Sequence, residues 1–492
     1  MADPKGPPPI VIKDWAAGIG PSPFVGFGDM RGVAVDEKTG ALLVNFKSSK
    51  ESGTTITGLP RYVVVNPSNG DLYLLDDDGK LYKSSDDGDS WALITGNTLP
   101  SAGNGGAGLG LWKGYVFVFR GDTNLDVYSI AGGTWTNGWK TVQDVDFHHA
   151  IITPDDKLTF GNGRYVATIQ ETASSTFDPG NSATYTYTAD KLDLPAQYTV
   201  KCLEMLGLDL KIGTFVGSSP NDTKVADIFS WDRVSPSFTG SKTINIAENG
   251  VHAMKTVRGR MYVVAGAKGN VYVTNGTDTI LFKEFKSVDF ASTAGSSVVP
   301  LPGAVMAHND KLYVGIGGGA GSTPHGVFSV HTVTGAVVME GIISSGSVAA
   351  AVKIGALYSV SGETYIVGWQ DATAQGADLV GNGNLRYASY AAYVDSPLYR
   401  VGTSKRKRSF SEVEFVLGRD LVSGQGVRIS WRGALNDSFS SPVTFDFATH
   451  AGIPSAILDL PISDVENVQF RIELTTNGNV VTTPELLEVV VR

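Results

Sequence analysis

Asp71-Leu72-Tyr73-Leu74-Leu75, answered shortly afterwards by Leu81-Tyr82-Lys83, is the stretch on which the fold turns. A turn opens it, an aromatic centres a short apolar run, and a second aromatic-centred run follows within reach of a hairpin. The first half returns as Gly114-Tyr115-Val116-Phe117-Val118, Arg260-Met261-Tyr262-Val263-Val264, Lys311-Leu312-Tyr313-Val314-Gly315 and Ala356-Leu357-Tyr358-Ser359-Val360. The second half returns as Val127-Tyr128-Ser129, Ile228-Phe229-Ser230, Val271-Tyr272-Val273 and Val327-Phe328-Ser329. Two weaker copies are placed by spacing, around Lys157–Ile169 and Leu210–Ser230.

Setting the first strand of each unit near Arg61, Leu109, His148, Leu203, Val251, Val305 and Val348 gives seven units with a mean period of about 48 residues. Each has room for four short strands. A lone four-stranded sheet leaves faces and edges uncovered, so the units must stack around an axis. The expectation is a seven-bladed β-propeller. The degenerate third and fourth units keep six and eight open, and stacked sheets or a β-helix compete, the irregular period speaking against the helix.

Composition agrees. Fifty-nine glycines and 22 prolines exceed what long helices tolerate, and the apolar residues come in runs rich in Val, Tyr, Phe and Thr. The class is all-β. A net charge of −10 supplies no field for gripping nucleic acid, and the single cysteine, Cys202, excludes an internal disulfide framework. Met1–Pro9 lacks the apolar core of a signal peptide, and no stretch is suited to membrane insertion, so the chain is expected to stay where it is made.

Three regions follow. Residues 1–54 form an extended N-terminal arm and hairpin: a proline run, then Trp15, Phe24 and Phe27 among glycines, then Gly32–Val44 turning at Glu37–Gly40. Residues 55–393 form the propeller. Residues 394–492 carry longer alternating strands at Ser411–Leu417, Val427–Trp431, Val443–Phe447, Ala456–Leu460, Val468–Leu474 and Glu485–Val491, which suggest a C-terminal β-sandwich of jelly-roll type. The arm has apolar residues but no periodic face, so it is expected to dock on the propeller or a neighbouring subunit.

The sharpest motif is Ser84-Ser85-Asp86-Asp87-Gly88-Asp89-Ser90-Trp91. It resembles the Asp-box of sialidase-like propellers, Ser-x-Asp-x-Gly-x-Ser/Thr-Trp, at Ser84, Asp86, Gly88, Ser90 and Trp91. The aspartate accepts backbone N–H bonds, the glycine adopts a shape other residues resist, and the tryptophan caps the blade core. The resemblance implies a structural loop between the third and fourth strands of a blade, on the rim. Thr274-Asn275-Gly276-Thr277-Asp278-Thr279 is a degenerate echo in the fifth unit.

Sialidase chemistry needs three converging arginines, a tyrosine–glutamate pair and an acid aspartate. Arg61, Arg120, Arg164, Arg258, Arg260 and Arg386 sit in no such phrase, and Glu171, Glu204, Glu248, Glu340 and Glu363 are only scattered carboxylates. No catalytic, cofactor or metal residue is assigned. Arg120-Gly121-Asp122 spells an integrin tripeptide where a hairpin turn is expected anyway. Asp76-Asp77-Asp78-Gly79 lacks the spaced ligands of a calcium loop. His148 and His149, adjacent on a strand, point to opposite faces and do not share a metal. Lys405-Arg406-Lys407-Arg408 reads as a solvated basic loop or a patch for an acidic neighbour.

The order of parts resembles the loosely defined propeller proteins of tailed-phage virions. The arm phrase Phe27-Gly28-Asp29-Met30-Arg31, then Gly79-Lys80-Leu81-Tyr82, Asp395-Ser396-Pro397-Leu398-Tyr399 and the closing Thr482-Thr483-Pro484-Glu485-Leu486-Leu487 carry that likeness. It implies a tail-associated structural virion protein, assembled in the host cytoplasm, whose partners are other virion proteins, copies of itself in a homo-oligomer, and a host-surface glycan. It carries over no catalytic residue, and the chain is expected not to be an enzyme. The alternative is a carbohydrate-binding or glycoside-hydrolysing propeller, with Trp112, Trp135, Trp139, Trp231 or Trp369 as stacking platforms. Blade core is the commoner fate of such tryptophans.

Overall fold

The computed structural model describes residues 8–20, 26–36, 38–52, 56–97, 105–173, 175–216, 225–266, 269–285, 300–317, 326–341, 343–344, 352–362, 364–371, 373–477 and 482–492. Phe24, Glu37, Val348 and Glu363, named above, lie outside them. Strand dominates: among the described residues the one α-helical stretch is Phe447–His450. The all-β expectation holds. The chain divides into two compact units, one of Ser49–Val327 with Ile343–Leu379, the other of Met1–Ser48, Phe328–Ile342 and Val380–Arg492. The opening and closing regions fall within the same unit.

The larger unit is a succession of four-stranded antiparallel sheets in chain order. The first holds Pro60–Val65, Leu72–Asp76, Leu81–Ser84 and Ala92–Ile94. The second runs from Gly108–Trp112 to Thr134–Thr141, the third from Ala150–Thr153 to Tyr185–Asp193, the fourth from Tyr198–Leu206 to Ile244–Ile246, and the fifth from Val251–Val257 to Thr279–Lys283. A hairpin follows, Val305–His308 against Lys311–Ile316. The last sheet takes Lys353–Ser361, Thr364–Gln370 and Gln375–Val380, and its fourth strand is Ser48–Lys50, from the other end of the chain.

Local chemistry explains the repeated hairpin. Trp112 pairs with Tyr115 across Lys113 and Gly114, both at positive φ (53° and 79°). Val257 pairs with Arg260 across Arg258 and Gly259 in the same conformation (48° and 74°). Two consecutive left-handed residues make the tight turn whose twist matches antiparallel strands, and a glycine at the second position removes half of the strain.

Packing lies between sheets. Tyr62, Tyr73, Leu75 and Leu81 of the first sheet meet Leu109, Val116 and Val118 of the second. Phe117, Phe119 and Leu125 meet Leu158, Phe160 and Ile169 of the third, while Val166 and Leu192 meet Leu203, Ile212 and Phe229 of the fourth. Cys202 and Ile228 meet Val251, Met254 and Val263 of the fifth. Leu72, Leu74 and Tyr82 of the first sheet also meet Ile366, Ala377 and Leu379 of the last. Central strands carry apolar side chains on both faces because both are covered, which is why their phrases read as continuous rather than alternating.

In the smaller unit one sheet has the order Val33–Val35, Leu42–Val44, Leu486–Val491, Arg408–Leu417, Ser455–Val465, with Ile10–Ile12 also on Leu486–Val491. A second places Asp29–Arg31 between Val337–Gly341 and Ala392–Asp395, then continues through Asn467–Thr475 and Gly426–Arg432 to Val443–Asp446. The two meet where Phe415 stacks on Phe445, 5.8 Å between ring centres. Phrases that carried the sequence likeness pair directly here: Asp29 lies opposite Asp395 and Met30 opposite Val394, and Thr483 Oγ1 accepts from Val44 N at 2.8 Å. The opening segment docks on the closing strands of its own chain. Trp15, fully buried, donates Nε1–H to Leu487 O at 3.0 Å and stacks on Phe27 at 5.6 Å.

Candidate functional site

In the larger unit the first strands of successive sheets converge on a cavity of about 360 Å³. Val63, Val64, Leu109, Ile151, Val305, Met306 and Leu357 give it an apolar wall, while Tyr62, His149, Lys255, Tyr358 and Ser359 add polar groups. His149 Nδ1 accepts the Leu203 N–H at 3.1 Å, which fixes the ring proton on Nε2. The side chain is half-buried at the cavity edge. The desolvation it does suffer pushes the imidazole down to about 3, the Lys255 charge adding to the effect, and it stays neutral. Ser359 Oγ is engaged with His308 Nδ1 at 2.9 Å.

Several of these first strands slip register at corresponding places, between Pro60 and Tyr62, Val200 and Cys202, Val251 and Ala253, and Ile354 and Ala356. Such bulges re-aim the extra residue, here Arg61, Lys201, His252 and Gly355. Lys201 Nζ reaches His252 Nδ1 at 2.7 Å, both side chains buried, and His252 Nε2–H donates to Gly266 O at 2.8 Å. Lys201 also lies over the Phe147 ring at 4.6 Å, and Arg61 over the same ring at 5.4 Å. Burial pulls the Lys201 ammonium down to about 7 and pushes the neighbouring Cys202 thiol up to about 12. The His252 imidazole is held well below its usual value by burial and by Lys201. Tyr62 Oη and Arg61 Nε are buried without a hydrogen-bond partner among the described residues.

The Ser84–Trp91 stretch joins the third strand of the first sheet to the fourth. Ser84 Oγ donates to Asp86 Oδ1 at 2.7 Å and accepts from Gly88 N at 2.9 Å, and Ser90 N donates to Asp86 Oδ1 at 2.9 Å. Burial raises the Asp86 carboxyl, but the bonds from Ser90 and Ser84 outweigh it and hold the group below its ordinary value. Gly88 has φ 95°, and a Cβ there would stand 2.8 Å from Ile366 Cδ1. Trp91, 1% exposed, fills the core between the first and last sheets. In the echo of the fifth sheet the Gly276 N–H donates to Thr274 Oγ1 at 2.9 Å, two residues back where Gly88 reaches four, and where a tryptophan would follow there is Ile280, 69% exposed.

Other sequence candidates are tied up locally. Arg120 is buried, doubly bonded to Asp122 at 3.0 Å and 3.5 Å from Asp126. Arg164 pairs with Asp193 and Arg258 with Asp310, and in the other unit Arg386 lies over Phe46. Glu171 pairs with Lys113, Glu248 accepts from Tyr272 and Asn270, and Glu340 accepts from Ser329 and Asn45. Asp76 Oδ1 accepts the Asp78 and Lys80 N–H groups, and Asp77 accepts that of Leu59. His148 turns to the core, stacked on Phe119, while His149 faces the cavity. The indole N–H groups of Trp112, Trp135, Trp139, Trp231 and Trp369 go to Asp156, Thr95 O, Pro179 O, Ser235 O and Asp378. Arg406 and Thr403 close an exposed turn inside the basic run. Lys201, Lys255 and His252 escaped the sequence reading. Their signal was a charged or imidazole side chain inside apolar first-strand phrases, Val200-Lys201-Cys202-Leu203 and Val251-His252-Ala253-Met254-Lys255.

No protein-family model matches the chain, and no curated protein matches it. Among solved structures it is similar to the β-propeller domain of Cps50 (Swd1) from Myceliophthora thermophila, with TM-score 0.46 and 9% identity over 68% of this chain and 99% of that one. A catalytically inactive virginiamycin B lyase from Staphylococcus aureus gives TM-score 0.45 and 12% identity over 68% and 99%. YCF48 bound to D1 peptide gives 0.45 and 9% over 71% and 97%. The neighbours are β-propeller proteins of mixed function.

Proposed function

We propose that the chain is a structural component of a tailed-phage particle, built as a seven-bladed propeller carried with a C-terminal β-sandwich, and that it is not an enzyme. Six of the repeat phrases fall in four-stranded sheets, the last of them completed by Ser48–Lys50, and the hairpin of Val305–His308 and Lys311–Ile316 marks the remaining phrase. Ser84, Asp86, Gly88, Ser90 and Trp91 act as an Asp-box that locks the first blade against the seventh.

One observation carries the scaffold reading: Arg120, Arg164 and Arg258, which would have to converge for glycan chemistry, lie in different sheets and are each ion-paired, and the Trp112 and Trp369 indoles are hydrogen-bonded to carboxylates. A site that binds a carboxylate through converging arginines needs those groups free and pointing together. The virion assignment rests on the order of sequence phrases. The test is quantitative mass spectrometry of purified tailed particles from cells expressing the chain, with a sialoside-release assay on the purified protein in parallel. A fixed copy number per particle and no sugar release support the reading. Recovery only outside particles, or saturable release, overturns it.

A further inference from the structure

We propose that the cavity between the first strands is a binding site for a compact organic carboxylate with an apolar body. This goes beyond the scaffold reading and rests on the larger unit alone. The wall is apolar apart from a few groups, and two of these have polar atoms left over. Lys255 makes no hydrogen bond or ion pair within the described residues, and the His149 Nε2–H, left as donor once Nδ1 accepts from Leu203, has none either. A cation and a neutral N–H donor thus border one space walled by Val63, Val64, Leu109, Ile151, Val305, Met306 and Leu357.

Charge and size select the ligand. One ammonium balances one negative charge, so a monocarboxylate fits, whereas a phosphate dianion would leave a charge uncompensated against valine and leucine. Glu204, a neighbouring carboxyl, lies outside the cavity wall. Burial raises it above its ordinary value against the pull of the Lys255 charge and of the Met205 and Thr256 backbone N–H groups, and it makes no ion pair with Lys255 within the described residues, so the ammonium is open to a carboxylate in the cavity. A volume of about 360 Å³ is at the small end for ligand sites and suits a single ring or a short branched chain. The acid can come from an aliphatic or aromatic metabolite or from an acidic sugar. The carboxylate is the shared feature.

The test uses the full chain and isothermal titration with benzoate, cyclohexanecarboxylate, N-acetylneuraminate, benzyl alcohol and inorganic phosphate. Saturable binding of a carboxylate is expected, with benzyl alcohol and phosphate at least about tenfold weaker. Benzoate or cyclohexanecarboxylate binding identifies the apolar acid as the source, and N-acetylneuraminate alone identifies the sugar. Lys255→Met should weaken binding at least about tenfold, while Lys255→Arg retains most of it. Lys255→Met removes no hydrogen bond or ion pair within the described residues, only a charge that acts on Glu204, so it should stay folded with a thermal midpoint close to that of the parent. On the unmodified protein, the bound acid should raise that midpoint with concentration and benzyl alcohol should not. No saturable carboxylate, equal binding of alcohol or phosphate, or undiminished binding by Lys255→Met overturns the proposal. These results are independent of whether the chain is found in particles.

Discussion

Replacing Trp91 by alanine tests whether the Ser84–Trp91 turn is a structural lock. The indole is 1% exposed and packs among Ile56, Leu72, Leu74, Tyr82, Ile366, Ala377 and Leu379. Truncating a buried aromatic to alanine costs about 3–5 kcal/mol, through lost transfer energy and an unfilled cavity. An opposing contribution comes from Trp91 Nε1, buried without a partner among the described residues. Removing an unsatisfied donor returns about 1 kcal/mol. The net expectation is a loss of about 3 kcal/mol. Trp91→Phe keeps most of the apolar contact and removes the same N–H, so it should lose only about 1 kcal/mol. A chain of two units need not unfold in one step. The assay is therefore urea denaturation followed by near-UV circular dichroism, with hydrogen exchange read at Leu72–Ser84. Faster exchange there, and an earlier first transition, is the expected result for Trp91→Ala. Identical transitions and protection in both proteins would refute the lock.

Three further outcomes follow from buried charges. Lys201 falls to about 7 on folding from an ordinary 10.5, so between those values the unfolded chain holds the proton and the folded chain does not. Parent stability should therefore climb with pH across that window, by up to ~4 kcal/mol between pH 7 and 10, relative to Lys201→Met. Parallel pH curves for the two proteins contradict this. Glu51, raised by burial to about 7 from 4.5, stabilises the fold below pH 4.5 and loses that contribution as pH rises through 7. Glu51→Gln should gain about 3 kcal/mol on the parent over that range, seen in urea midpoints at pH 4.5 and 7.5. Arg120→Ala removes the ion-pair partner of Asp126, which is fully buried and, among the described residues, keeps the Gly138 N–H as its donor. A loss of about 3 kcal/mol in the urea midpoint is expected, and none is expected if Arg120-Gly121-Asp122 is merely an exposed loop.

What could be read beforehand was whatever is local. Tyr73, Tyr115, Tyr262 and Tyr313 each lie in a second strand, because a central strand covered on both faces needs a bulky apolar run and its hairpin turn is written in adjacent residues. The hydrogen bonds that shape Ser84–Trp91 lie within eight consecutive residues and were equally legible. The role of the opening segment was not. Asp29–Arg31 and Ile10–Ile12 are three-residue strands, too short to show alternation, and their partners Ala392–Asp395 and Leu486–Val491 are hundreds of residues away. Lys201 and His252 were hidden for a different reason. A bulge breaks the two-residue alternation, so counting along the strand assigns the wrong face to the residue at the bulge.

The last sheet has a consequence for how the chain is made. Ser49 Oγ donates to Leu379 O across 330 residues of sequence, so its strand leaves the ribosome well before the one it pairs with. At about 5–20 residues per second, it must wait on the order of tens of seconds for the strand it completes. Throughout that interval the nascent protein carries an unpaired edge, open to the strands of other chains. The segment Phe46-Lys47-Ser48-Ser49-Lys50-Glu51 is well suited to waiting, since its two serines flanked by charged residues make it a poor nucleus for aggregation. Synthesis rate and chaperone supply, rather than the stability of the finished protein, should then govern how much correctly closed material a cell accumulates.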